Sequence, residues 1–269
     1  MHGRAELGFV HADGVSRLAR LYQRSPLRVL FPDPARDEPP QAALVTTSGG
    51  LAGGDRLELA VQLGPQARAV VVASAAEKVY RSDGADTVVE VGLDARSGAW
   101  LEVLPQETIL FDGARLRRRT RIEAAADAGL MAGEILIFGR TARAERMRGG
   151  LVRDAWEIRR DGRLIWADAL HLEGDIIRHL DAPAGFGGAA AAATLVLLCE
   201  DTAGACAAVR DWLGDYPGRA GATVVNGVLV ARWLDEDARR LRTSFGRVWA
   251  GLRHAAAGLP ESLPRLWDI

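Results

Sequence analysis

Thr46-Thr47-Ser48-Gly49-Gly50-Leu51-Ala52-Gly53-Gly54-Asp55-Arg56-Leu57-Glu58-Leu59-Ala60-Val61-Gln62-Leu63 places a glycine turn directly before a strict period of two. Four glycines in six residues allow backbone conformations and close approaches that a Cβ forbids, and they end on an acid. Over 57–63 apolar and polar residues alternate, as in a strand with one buried face. Segments of the same kind at 70–72, 88–93, 130–138 and 164–172 recur from Arg4 to about Glu173, between turn signals such as Asp83-Gly84, Asp112-Gly113 and Asp161-Gly162. No fixed repeat length links them, which argues against a propeller or a regular repeat array. The first two thirds therefore read as an all-β body.

The last third changes character. Residues 201–213 offer an acidic N-cap, Cys206, Val209 and Leu213 at helical spacing, and Gly214 as a stop. A second helix is expected over 235–257, with Leu241, Phe245, Val248 and Leu252 in one stripe and Gly258-Leu259-Pro260 beyond its end. Between them, 222–225 and 228–233 form a hairpin pattern around Asn226-Gly227. Residues 35–41, with Pro39-Pro40, read as a surface loop. With no linker long enough to separate two folding units, the expectation is one domain over 1–269, an all-β body at 1–175 followed by strands and two helices at 176–269.

A chain of 269 residues with 48% apolar residues can fill a core, and a formal charge of -1 lacks the footprint of a nucleic-acid binder. The basic run Arg115, Arg117, Arg118, Arg119, Arg121 is read as a solvated strand face. No signal-peptide pattern occupies the first residues, and the apolar run at 187–199 is too short to span a bilayer, so a cytoplasmic protein without membrane contact is expected. Cys199 and Cys206 lack CxxC spacing and read as reduced core residues, and the five histidines are scattered. Lys78, the lone lysine, reads as a surface cation or a contact within the glycine-rich signature region.

The glycine turn is not a phosphate loop, because Asp55 and Arg56 stand where Lys and Ser or Thr are required, and a strand follows it. Ser48 lacks the GxSxG elbow. A pair of carboxylates for sugar hydrolysis stays open as the main enzymatic alternative.

Strand parity separates two kinds of acid. Glu58 is in step with Arg56 and Gln62, Glu123 with Arg119 and Arg121, and Glu157 with Arg159, the parity of a solvent-facing side. Asp55 is in step with Leu57, Leu59, Val61 and Leu63; Glu77 with Val71, Ala73, Ala75 and Val79; Glu134 with Leu130, Ala132, Leu136 and Phe138; Asp168 with Leu164, Trp166, Leu170 and Leu172. Glu102, in step with Trp100 and Leu104, is a possible fifth. Burying an ionised carboxylate costs several kcal/mol unless it is paired, metal-bound or wetted. Two readings follow: arginine pairing, or a polar internal passage whose oxygen ligands attract a divalent cation and hold it weakly.

Thr47-Ser48-Gly49-Gly50-Leu51-Ala52-Gly53-Gly54-Asp55, Ala75-Ala76-Glu77-Lys78-Val79-Tyr80-Arg81-Ser82, Trp100-Leu101-Glu102-Val103-Leu104-Pro105-Gln106-Glu107-Thr108-Ile109 and Gly133-Glu134-Ile135-Leu136-Ile137-Phe138-Gly139-Arg140 occur in one order, and Pro264-Arg265-Leu266-Trp267 closes the chain. In these stretches the sequence resembles the UreD (UreH) family of urease accessory proteins. The resemblance implies a mainly-β, helix-like stack of short strands, β-solenoid-like, with two α-helices in the C-terminal third. It also implies a non-catalytic role in loading nickel into apo-urease, with UreF as partner and the GTPase UreG recruited through UreF. Nickel is then transient cargo, with no tightly bound cofactor, and the proposed tunnel lining of the family falls by position on Asp55, Glu77, Glu134 and Asp168. A β-solenoid carbohydrate hydrolase using two of those carboxylates and a purely structural adaptor without a metal path are the competing readings. Thr47 departs from the His expected at its position, which removes one potential metal ligand.

Overall fold

The computed structural model describes residues 1–104 and 106–267; Pro105, inside the motif at 100–109, and residues 268–269 lie outside the described residues. In chain order the elements are β1 (His2–Ala12), β2 (Val15–Arg24), β3 (Leu27–Leu30), β4 (Gln41–Thr46), β5 (Arg56–Leu63), β6 (Arg68–Ala73), β7 (Glu77–Val79), β8 (Thr87–Ala95), β9 (Trp100–Leu104), β10 (Thr108–Leu110), β11 (Arg115–Ala124), β12 (Gly129–Phe138), β13 (Gly149–Arg160), β14 (Arg163–Asp175), α1 (Ile176–Asp181), β15 (Ala191–Leu198), α2 (Thr202–Trp212), β16 (Arg219–Val225), β17 (Val228–Asp235) and α3 (Ala238–Ala257). Sheet I has the order β14-β13-β11-β8-β5-β1-β2, and sheet II the order β16-β17-β15-β12-β9-β6-β4-β3, with β10 and β7 added in a side row from β12.

The chain passes from sheet II to sheet I and back: β4 to β5, β6 to β8, β9 to β11, β12 to β13. Within each sheet these strands pair in parallel with their counterparts in the neighbouring coils. Each coil thus rests on the one before it, which is the expected mainly-β, solenoid-like stack. Antiparallel partners flank it, β1 with β2 and β3 with β4 at one end, β13 with β14 and β15 with β17 at the other.

The hairpin around Asn226-Gly227 is present, with both residues at positive φ (48° and 77°) as a two-residue turn of this type requires. α2 starts one residue after its expected cap, and the Asp201 carboxylate accepts the Gly204 N–H at 2.8 Å. α3 starts later than expected. Asp235 ends β17, and Asp237 is the cap, accepting from Arg239 N and Arg240 N at 2.9 and 3.2 Å. Asp235 is instead buried, accepting from Tyr216 Oη at 2.5 Å and Arg240 Nε at 2.8 Å. The short α1 was not expected; six residues are too few to display an amphipathic stripe.

One apolar core fills the space between the sheets, where Val61, Leu93, Ile122 and Ile158 meet Val71, Leu101 and Leu130. A second lies between sheet II and the two long helices and includes Met131, Ile135, Val209, Phe245, Trp249 and Leu252. Sheet II is therefore covered on both faces. The covering helix is tied down by charge: Glu102, fully buried, accepts from Trp100 Nε1 at 3.0 Å, Trp249 Nε1 at 2.9 Å and Arg253 Nε at 3.0 Å. Arg253 also donates to Glu38 at 2.6 and 2.7 Å and to the Pro260 and Ser262 carbonyls at 2.9 Å. Glu102 is thus an anchor for α3 and no member of a passage. Arg253→Met leaves two buried carboxylates without their cation and is expected to lower the stability by about 3–5 kcal/mol, read from urea unfolding.

Candidate functional site

Parallel register brings equivalent inward positions of successive coils side by side. In sheet I one row runs Leu57, Val89, Arg118, Asp154, Leu170, and the next runs Leu59, Val91, Thr120, Trp156, Asp168. In the side row of sheet II, Glu77, Thr108 and Leu136 are register partners. The first row opens apolar and turns charged at Arg118. That arginine belongs to the run expected to form a solvated face, and the structure corrects the reading for it. Arg115, Arg117, Arg119 and Arg121 share the outward parity and pair with Asp86, Glu157 and Glu90. Arg118 has the opposite parity and points between the sheets.

There its guanidinium bridges two carboxylates from different sheets. Nη2 contacts both Glu134 and Asp154, Nε donates to Asp154 at 3.0 Å, and Nη1 donates to Thr108 Oγ1 at 3.2 Å. Asp154 is fully buried, and among the described residues its second oxygen, Oδ1, has no hydrogen-bond partner; neither does the nearby Trp156 Nε1. Burial, with the Asp154 charge behind it, pushes the Glu134 carboxyl well above the ordinary range, against the pull of Arg118. Burial opposes the charge on Arg118, yet Asp154 and Glu134 together hold its pKa above the ordinary value.

Two cavities meet at this cluster. The first, of about 330 Å³, lies between the sheets, with Thr46, Glu77, Gln106, Thr108, Arg118 and Glu134 as polar lining among apolar residues such as Leu59 and Val91. The second, of about 430 Å³, is lined by Glu134, Asp154, Trp156, Asp168, Arg219 and Arg232 among others. Glu134 and Trp156 line both.

Three of the four acids singled out by parity therefore stand along these cavities. Glu77 accepts from Thr46 Oγ1 at 2.5 Å and has no arginine against it; burial raises its pKa. Glu134 sits at the junction. Asp168, half-exposed at the far side, pairs with Arg232 at 2.6 Å. Asp55 is buried too, but it lies outside both linings: it accepts the Ala52 N–H at 2.8 Å and the Met1 amino group, closing the glycine turn on itself. The turn is packed rather than open, since a Cβ on Gly53 would lie 2.2 Å from Ser82 Oγ, and one on Gly50 2.7 Å from the Tyr80 ring. Lys78 is exposed, on the face opposite Glu77. Asp154 and Arg118 escaped the sequence reading, although Asp154 is in step with Val152, Trp156 and Ile158, the same signal that marked the others. Among the described residues, no three His, Cys, Asp or Glu side chains gather as a metal site.

The model of the UreD urease accessory protein family matches residues 1–268. The chain belongs to the UreD family. It is similar to a urease accessory protein UreD of Magnetococcus marinus, 47% identical over all of this chain and 94% of the relative. A UreD 3 protein of a Bradyrhizobium species is 43% identical over 95% of this chain and 89% of its own length, and a UreD of a Methylobacterium species 43% identical over 99% and 94%. These relatives carry the name of accessory proteins, not of enzymes. In this UreD chain the family motifs converge: Gly49 and Leu51 of the first, Glu77 of the second, Gln106 and Thr108 of the third and Glu134 of the fourth line one cavity.

The raised pKa of Glu77 has a testable sign. Below the ordinary glutamate pKa the folded and unfolded chains are both protonated at this site. As pH rises past it, the unfolded chain ionises first, and the folded state loses stability until its own raised pKa is passed. Glu77→Gln, which keeps an acceptor for Thr46, is expected to be more stable than the parent at pH 8, with the gap shrinking toward pH 5. Paired urea midpoints at the two pH values measure it, and a gap constant with pH contradicts it.

Proposed function

We propose that this UreD chain is a non-catalytic scaffold in urease maturation, bridging apo-urease to UreF and through UreF to UreG, and that nickel travels as transient cargo along its two adjoining cavities. The observation carrying the reading is the series Glu77, Glu134, Asp168, one carboxylate in the first cavity, one in both and one in the second. Single carboxylates in series attract a divalent cation without the thiolate or imidazole sets that retain one. The names of the relatives support the link to urease. We infer that the work is cytoplasmic as part of the same proposal; separately, among the described residues no helix is long and apolar enough to cross a membrane.

The adaptor reading, in which nickel travels elsewhere, draws support from the arginine partners of Glu134 and Asp168. The hydrolase alternative has no support from the relatives' names. Conduit and adaptor separate on Glu77→Ala combined with Asp168→Ala. Neither residue is deeply buried, so folding and copurification with urease, UreF and UreG are expected to persist, while the nickel content of co-expressed urease falls. Full nickel loading by the intact complex replaces the conduit with the adaptor.

A further inference from the structure

The geometry points to a divalent-cation site formed by Glu134 and Asp154 and occupied at rest by the Arg118 guanidinium, so that arginine and metal exchange places at the joint between the two cavities. The inference rests on the conduit reading and adds to it a second ligand, Asp154, and a gate, Arg118.

Three observations carry it. The guanidinium stands where the two cavities share a wall, since Arg118 and Glu134 line the first while Glu134 and Asp154 line the second. It is held by carboxylates reaching in from both sheets, Glu134 on β12 and Asp154 on β13. One carboxylate oxygen is left over: Asp154 Oδ1, fully buried, has no hydrogen-bond partner among the described residues. In a closed structural ion pair every lone pair is normally taken, because an unmet buried acceptor costs about 1–3 kcal/mol. Here the donor set is one short of what the acids accept.

Charge points the same way. Two carboxylates match the charge of one divalent cation, whereas a single guanidinium matches only one of them. Oxygen ligands at this place attract a divalent cation and hold a borderline one such as Ni2+ loosely, with water completing its shell. The displaced arginine has somewhere to go: Thr108, its neutral partner, and Glu77, the register neighbour of Thr108, lie in the first cavity with it. Glu77 has no arginine of its own, so it can receive the guanidinium while the metal holds the other two acids.

The test uses the full chain and Co2+ or Ni2+ alone. Arg118→Met vacates the pair while keeping an apolar stem, and is expected to bind one equivalent of Co2+ at least roughly tenfold more tightly than the parent by calorimetry, the scale of change seen when groups around a metal site are altered. Adding Asp154→Asn to that variant is expected to abolish the gain. Folded Arg118→Met that binds no more tightly than the parent, or whose binding survives Asp154→Asn, overturns the proposal. If the methionine variant does not fold, Arg118→Lys keeps the charge on a shorter, compact donor. Co2+ must then raise its melting temperature more than that of the parent, and an equal shift overturns the proposal. Nickel content of co-expressed urease separates the two claims: metal binding by Arg118→Met with unaltered urease loading keeps the cation site and removes the conduit.

Discussion

Parallel register between coils is the constraint on which the rest of this molecule depends. In an antiparallel hairpin a chain meets its own recent past, but in a coil stack each inward side chain lies against the equivalent one a full turn later. The row Val61, Leu93, Ile122, Ile158 and Trp166 is apolar throughout and packs into the core between the sheets. A charge placed in such a row has two neighbours in its own sheet and the opposite sheet about 10 Å away. Arg118 uses both directions, sideways to Asp154 and across to Glu134. The chain meets the cost of one buried cation with acids that register has already placed beside it, and the interrupted packing around the polar rows coincides with the two cavities.

Much of this was legible in the alternation alone, because sheet I has one buried and one solvated face. Parity there translates directly into direction, and the outward acids Glu58 and Glu157 meet arginines as expected. The rule weakens in sheet II. Its strands are buried on both faces, so being in step with apolar neighbours does not say which core a residue enters. Glu102 and Glu134 both satisfy parity, yet one faces the helices and the other the cavities. Arg118 was lost for a different reason: five arginines in seven residues read as a single patch, and the patch hides the one with opposite parity. Asp55 obeys parity and is buried, but the residue before a strand belongs to the turn, whose own hydrogen bonds claim the side chain. At α3 two acids compete for the cap, and only the path of β17 decides that Asp235 closes the strand and Asp237 opens the helix.

The two buried arginine clusters of this protein differ in a way that separates stability from function. Around Arg253 both oxygens of Glu102 are bonded, one by Trp100 and the other by Trp249, with the guanidinium shared between them. Its remaining donors reach Glu38 and two carbonyls near the helix end. Such a cluster fixes where a helix sits. Around Arg118 the accounts stay open: among the described residues Asp154 Oδ1 and Trp156 Nε1 have no hydrogen-bond partner. Buried ion pairs are in general no more stabilising than well-packed apolar residues of the same volume, so stability alone is a poor reason for three charged residues at that place. A guanidinium keeps its proton under any physiological condition, which makes the Arg118 charge a fixed feature of the joint between the cavities. The acids facing it carry more acceptor capacity than it satisfies. A closed cluster beside a helix and an incompletely satisfied one between two cavities are the signatures of an anchor and of a site that exchanges its occupant.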